Sequence, residues 1–310
     1  MDLKDYKLVW SDEFDGDRLD TTKWTISEDD TPLKNADGEL TVIYGGEKES
    51  VWVENGCLYL LNRYDENSGL FLAPKSVQTK KTMSFKYGYV EVRAKLPFVA
   101  GTEAALKALA KNAIGSEKNS DYYSQMNLFQ YEGSAYNVGS RIIKVYENYN
   151  ENNPYYKLNM WGRDMGPMDT SSKAQLDGLM TPDSFRSNFT PDKKDEFLTY
   201  GFLWTPEIIE VFVEGRKISR INLSRDFLRE SGIEGFRQPH YLEFQNTLKV
   251  GRMLERALIG FKKAEEDIAS VSENLKHASA KADYIKKQYP FEIDYVRLYQ
   301  RDGEGELNIN

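Results

Sequence analysis

Between residues 88 and 96 the chain alternates: Val90, Val92 and Ala94 are separated by the charged Glu91, Arg93 and Lys95. A period of two places one set of side chains on a buried face and the other in solvent, which predicts a half-buried strand. Short β-rich runs recur at 141–146, 155–161, 198–204, 208–213, 241–245 and 291–300. Before Leu96 such runs are separated by the turn dipeptides Asp15-Gly16, Asp37-Gly38 and Asn55-Gly56, and residues 152–154 and 190–192 read as loops. Many short strands with this punctuation predict an all-β, antiparallel sandwich or barrel and not a parallel α/β sheet. There is no internal repeat, and 310 residues suit one β-sandwich domain spanning 1–310.

Two stretches break the pattern. Residues 102–112 (TEAALKALAKN) are rich in strong helix formers, and Thr102 is a plausible N-cap, so composition predicts a helix. Their place just after Leu96-Pro97 argues for a core strand instead; helix is the expectation carried forward. The second stretch, 252–288, is longer. Leu254, Leu258, Phe261, Ala264, Ile268, Val271, Leu275, Ala278, Ala282 and Ile285 follow one another at intervals of four or three, with Gly260 as its only glycine and no proline. That spacing predicts an amphipathic helix or helical hairpin inserted near the C-terminus. Packing on its own domain and a helix-mediated contact with a protein partner both stay open.

Charge and composition narrow the function classes. Lys and Arg number 41 against 49 Asp and Glu, a net charge of -8, which argues against nucleic acid or an anionic membrane as partner. The 20 tyrosines and 13% aromatic content suit strand cores, and also suit platforms on which sugar rings stack. Cys57 is the only cysteine, so no internal disulfide forms; in the run GCLYLL it reads as a buried, inert thiol. Two histidines, His240 and His277, are too few for a histidine-rich metal centre. No apolar run approaches about 18 residues, and the opening MDLKDYK does not read as a signal peptide, which leaves the compartment open.

Several segments, in order, resemble those of glycoside hydrolase family 16, the laminarinase-like enzymes. LVWSDEFDG at 8–16 followed by Trp24 resembles the family's opening strand, and FKYGYVEVRAKLP at 85–97 its most recognisable one. GFLWTP at 201–206 and VEGR at 213–216 resemble a later hairpin, and FEIDYVRLYQ at 291–300 the closing strand. The resemblance implies a two-sheet jelly roll with a sugar-binding groove, and suggests secretion.

In that family the chemistry lies on a strand reading Glu-x-Asp-x-x-Glu. A retaining glycosidase sets a nucleophilic carboxylate and a carboxylic acid about 5–5.5 Å apart. Alternate strand residues share a face, and one extra residue, as a bulge, returns the third group to it. Here the matching segment is QMNLFQYEG at 125–133: the spacing survives, but the acids are Gln125, Asn127 and Gln130. An amide has nearly the shape of a carboxylate but cannot ionise, is a poor nucleophile and has no proton of suitable acidity. Glu132 is the nearest surviving acid.

Other positions depart with it. Glu103 and Lys107 stand where the family has two tryptophans, Tyr123-Ser124 where it has Trp-Pro, and Leu198 and Asn159 where it has histidines. Glu243 and Gln245 alternate on a strand that is usually apolar, while Trp161 survives as a stacking candidate. The candidate ligand-binding set is therefore Glu103, Lys107, Tyr123, Asn159, Trp161, Glu243 and Gln245, with no functional catalytic residue. The leading reading is a catalytically inactive, family-16-like protein that binds a carbohydrate or another ligand. An active β-glycan hydrolase using other residues is one alternative; an interaction or scaffold protein using the long helix is another. A natural pseudoenzyme and an engineered knockout would both carry these isosteric changes. The resemblance further implies a structural Ca²⁺ at Glu13 and Asp294, with backbone carbonyl help near Gly56, and no cofactor for catalysis.

Overall fold

The alternating segment becomes β11 (Gly88–Lys95), whose Val90, Val92 and Ala94 are buried while Glu91, Arg93 and Lys95 are half-exposed. It is hydrogen-bonded to β16 (Leu198–Trp204) on one side and β20 (Phe291–Gln300) on the other; β20 in turn pairs with β1 (Lys7–Asp12). The segments that carry the family resemblance are thus neighbours in one sheet. This computed structural model describes residues 2–28, 32–34, 41–45, 49–65, 70–97, 102–110, 113–115, 123–132, 143–149, 160–162, 196–222, 236–248 and 290–310. The helix expected at 252–288, the loops at 152–154 and 190–192, the turn at Asp37-Gly38 and the strand positions 155–159 lie outside the described residues.

Two large antiparallel sheets form the body. The eight-stranded sheet is completed by β5 (Val51–Glu54), β6 (Cys57–Leu60), β17 (Ile208–Val213) and β18 (Arg216–Asn222), in the order β18-β17-β16-β11-β20-β6-β5 with β1 beside β20. The seven-stranded sheet comprises β2 (Thr25–Ile26), β9 (Val77–Gln78), β12 (Thr102–Leu109), β13 (Tyr123–Glu132), β14 (Ile143–Tyr149), β15 (Met160–Gly162) and β19 (Tyr241–Leu248), in the order β15-β14-β13-β12-β19-β9-β2. A four-stranded sheet of β3 (Leu33–Lys34), β4 (Thr41–Gly45), β7 (Arg63–Asp65) and β8 (Leu70–Pro74) contains a parallel pairing, β4 with β8. The strands β10 (Met83–Lys86) and β21 (Glu306–Ile309) form a two-stranded sheet.

One hydrophobic core joins the two large sheets. Val90, Val92, Phe202, Val211, Leu58, Leu60 and Val296 of the first pack with Ala104, Leu106, Ala108, Met126, Leu128, Leu242 and Phe244 of the second. Burying that apolar area drives the two sheets together. Trp24 sits fully buried against Phe14, Trp10 and Phe244, and its indole N–H donates to Asp12 Oδ2 at 2.7 Å. Asn246 spans the two layers, donating to Leu60 O at 2.8 Å and accepting from Asn62 Nδ2 at 2.9 Å. The Asn55-Gly56 turn between β5 and β6 has φ of 51° and 74°, the left-handed pair that a tight hairpin demands.

The helix expected at 102–112 is overturned. Residues 102–109 are β12, paired along their length with β13 and with β19. Alternate residues Ala104, Leu106 and Ala108 enter the core, and the opposite face is largely covered as well. A segment hydrogen-bonded on both edges satisfies its backbone in the sheet, and that tertiary gain exceeds the few tenths of a kcal/mol per residue by which Ala and Leu prefer a helix.

Candidate functional site

The core-facing residues of β12 and β19 fix the opposite face. Because Ala104, Leu106, Ala108, Leu242 and Phe244 lie in the core, Glu103, Ala105, Lys107, Leu109, Tyr241, Glu243, Gln245 and Thr247 occupy the outer face of the seven-stranded sheet. Register then places the amide positions of β13. Gln125 is opposite Leu109, Asn127 opposite Lys107, Gln130 opposite Ala105 and Glu132 opposite Glu103. The register slips by one residue between Leu106 and Lys107, so β13 carries the expected bulge, and Met126 and Leu128 both enter the core. Gln125, Asn127, Gln130 and Glu132 therefore form one file on the outer face.

Rows run across this face. The central one is Gln78, Glu243, Lys107 and Asn127 on β9, β19, β12 and β13; one side of it holds Tyr241, Leu109 and Gln125, and the other Gln245, Ala105 and Gln130. Lys107 is half-buried and its Nζ donates to Gln245 Oε1 at 2.5 Å. Burial pushes the Glu243 carboxyl above the ordinary carboxylate range, against the opposing pull of Lys107 and Lys80. Lys80 also lies over the Tyr241 ring, 5.9 Å from its centroid.

Register therefore brings Glu103, Lys107, Glu243 and Gln245 of the candidate set into line with the amide file. Tyr123 opens β13 opposite Tyr149, and Trp161 lies on β15 opposite Lys144, at the far end of the same sheet. Asn159 lies outside the described residues. Three positions were missed. Glu147 is opposite Gln125, because β14 runs three residues past the β-rich run at 141–146; the continuing polar and aromatic positions of YENY were the available signal. Gln78 and Lys80 were missed because β9 is two residues long, too short for a periodicity to show.

The proposed metal residues lie on the other sheet. Arg297 donates to Glu13 through Nε at 2.9 Å and Nη2 at 2.7 Å, and its guanidinium stacks 3.8 Å from the Tyr295 ring centroid. Asp294 is ion-paired with Arg93. Each carboxylate faces a guanidinium, so the side chains as arranged do not fit Ca²⁺ ligation, and no group of three or more His, Cys, Asp or Glu suited to a metal occurs among the described residues. Cys57 is buried and its thiol is pushed up by burial, keeping it protonated. His240 is fully buried beside Trp204, and burial pulls its imidazole down to about 3, which keeps it neutral and structural.

No protein-family model matches the chain. It is 32% identical over 125 residues to Glucan endo-1,3-beta-glucosidase A1 of Niallia circulans, covering 34% of this chain and 17% of that protein. It is 28% identical over 210 residues to Beta-glucanase of Rhodothermus marinus, covering 67% of this chain and 63% of that protein. The chain thus spans less than two thirds of either relative. Among solved structures it superposes on a non-specific endo-β-1,3(4)-glucanase from family GH16, which holds 1,3-β-D-cellobiosyl-glucose at its active site, with a TM-score of 0.61, 22% identity and 96% of each chain covered. The fold is the laminarinase-like fold of that family.

Proposed function

We propose that this protein binds a carbohydrate on the outer face of its seven-stranded sheet and does not hydrolyse it. The observation that carries this reading is the file of Gln125, Asn127 and Gln130, on one face and across one bulge, with an amide at every position where the resemblance implies an acid. The amides retain hydrogen-bonding capacity for sugar hydroxyls while lacking both a nucleophile and a proton donor. A carbohydrate ligand is supported by the oligosaccharide bound at the active site of the glucanase with the same fold. The test is a glycan array that includes β-1,3-glucan and mixed-linkage β-glucan oligosaccharides, read beside reducing-end release from the same glycans. Binding without release is the expected result. Release contradicts it, and binding to no glycan favours a scaffold role instead.

One observation supports a second reading, hydrolysis by relocated acids. Register sets Glu103 directly opposite Glu132, and Glu147 directly opposite Gln125. Cross-strand Cβ atoms lie about 4.5–5.5 Å apart, so carboxylate neighbours exist one position away from the vacated ones. Turnover abolished by both Glu103→Gln and Glu132→Gln would establish this reading over the first.

A further inference from the structure

The two carboxylates that the family resemblance assigns to Ca²⁺ each stand beside a fixed cation. β1 and β20 pair with Ser11 opposite Arg297 and Asp12 opposite Val296, which brings Glu13, just past the end of β1, alongside Arg297. The guanidinium holds Glu13 by two bonds, Nε to Oε1 at 2.9 Å and Nη2 to Oε2 at 2.7 Å, so both carboxylate oxygens are engaged. Arg297 is itself fixed in place. Its planar head stacks on the Tyr295 ring, the Tyr295 hydroxyl donates to Glu91 Oε1 at 3.1 Å, and Glu91 stands directly opposite Arg297 on β11. Asp294 is the extra residue of a bulge, between Tyr295 opposite Arg93 and Ile293 opposite Ala94. It is ion-paired with Arg93, whose guanidinium lies 4.8 Å from the Phe197 ring centroid. Ca²⁺ takes about six to eight oxygen ligands. To reach Glu13 it has to displace one guanidinium, and to reach Asp294 a second.

We infer that Arg297 and Arg93 take the place of the metal: their guanidiniums neutralise Glu13 and Asp294 and tie the strands together, so this site neither binds nor needs Ca²⁺. The inference is independent of the carbohydrate-binding proposal and concerns the opposite sheet. A guanidinium is permanently charged, and its planar fork matches a carboxylate. Being part of β20 and β11, these two are not lost to dilution or to a chelator, whereas a metal stabilises only as far as its free concentration exceeds its dissociation constant. The Arg297 clamp also acts on a sensitive point. It holds the end of β1, where Asp12 accepts from the backbone N–H of Phe14 at 3.1 Å and from the indole of the buried Trp24 at 2.7 Å. Charge points the same way. Two guanidiniums already face Glu13, Glu91 and Asp294, and an added divalent cation would leave an excess of positive charge among them.

The test is a double-mutant cycle on the full chain: the parent, Glu13→Gln, Arg297→Gln and the double variant, with unfolding midpoints measured by calorimetry in EDTA and in millimolar CaCl₂. In EDTA, Glu13→Gln is expected to lower the parent midpoint by roughly 1–2 °C, the effect of a part-exposed bidentate pair in a chain of this size. In the Arg297→Gln background the same change is expected to cost less, because the partner has gone. The parent midpoint is expected to be the same in CaCl₂ as in EDTA. Should a Glu13 or Arg297 variant fail to fold, the same cycle on Asp294→Asn and Arg93→Gln takes its place. A CaCl₂-dependent rise in the parent midpoint that is absent in Glu13→Gln overturns the inference, because it makes the metal the partner of that carboxylate. An equal cost of Glu13→Gln in both backgrounds also overturns it, because the guanidinium then contributes nothing to holding Glu13.

Discussion

The two outer faces of the sandwich carry similar residue types and use them differently. On the eight-stranded sheet, charges are matched across strands. Arg297 pairs with Glu13, Arg93 with Asp294, Lys95 with Glu292 at 2.8 Å, and Glu210 with Lys217 and Arg220 at 3.0 and 3.4 Å. On the seven-stranded sheet Lys107 meets an amide, and Glu243 has no hydrogen bond or ion pair among the described residues. The first face pairs these charges within the protein. Among the described residues the second leaves Lys107 and Glu243 without an ion pair. Both faces rest on the same apolar core, so the difference is one of surface chemistry on a common frame.

The largest effect is expected where the faces share their support. Leu106 is fully buried at the centre of β12, and Leu106→Ala should lower unfolding free energy by about 2–5 kcal/mol in a denaturant titration. A loss near zero would mean that β12 is not the packed central strand. Next comes the matched face. Arg297→Gln removes the bidentate contact with Glu13 and the stacking on Tyr295, both about one-third exposed, so the cost should be about 0.5–1 kcal/mol and should shrink in salt. The smallest effect has the opposite sign. The folded-state pKa of Glu243 is raised, so the native chain holds this proton more tightly than the unfolded one. That contribution is fully present below the ordinary carboxylate range and is lost as pH rises through the folded value. Glu243→Gln should therefore match the parent melting temperature at acid pH and exceed it at neutral pH. A drop at neutral pH would show that Glu243 is stabilised as a carboxylate, and would erase the contrast between the faces.

Much of the fold was legible in the sequence where periodicity ran long enough. The alternation at 90–95 and the run at 291–300 became adjacent strands, β11 and β20, and the spacing of Gln125, Asn127 and Gln130 foretold the bulge. Composition misled at 102–109, because propensity is a local property and β12 is held by two neighbours more than ten residues away in sequence. The site was legible one strand at a time. That Lys107 lies between Glu243 and Asn127, or that Glu147 lies opposite Gln125, depends on register, which no single segment contains. The acids Glu13 and Asp294 looked free in sequence for the same reason: their partners, Arg297 and Arg93, are assigned by strand pairing and by the packing of β1 on β20.

The central claim is that the amide file leaves a binding face without turnover. The most direct measurement is a time course of reducing-end release from β-1,3-glucan by the unmodified full chain at high enzyme concentration, with Glu132→Gln in parallel. The account predicts that both traces follow the protein-free control, because loss of the acting groups of a catalytic unit costs many powers of ten. Release by the unmodified chain that disappears in Glu132→Gln would contradict it and place a working carboxylate beside Glu103.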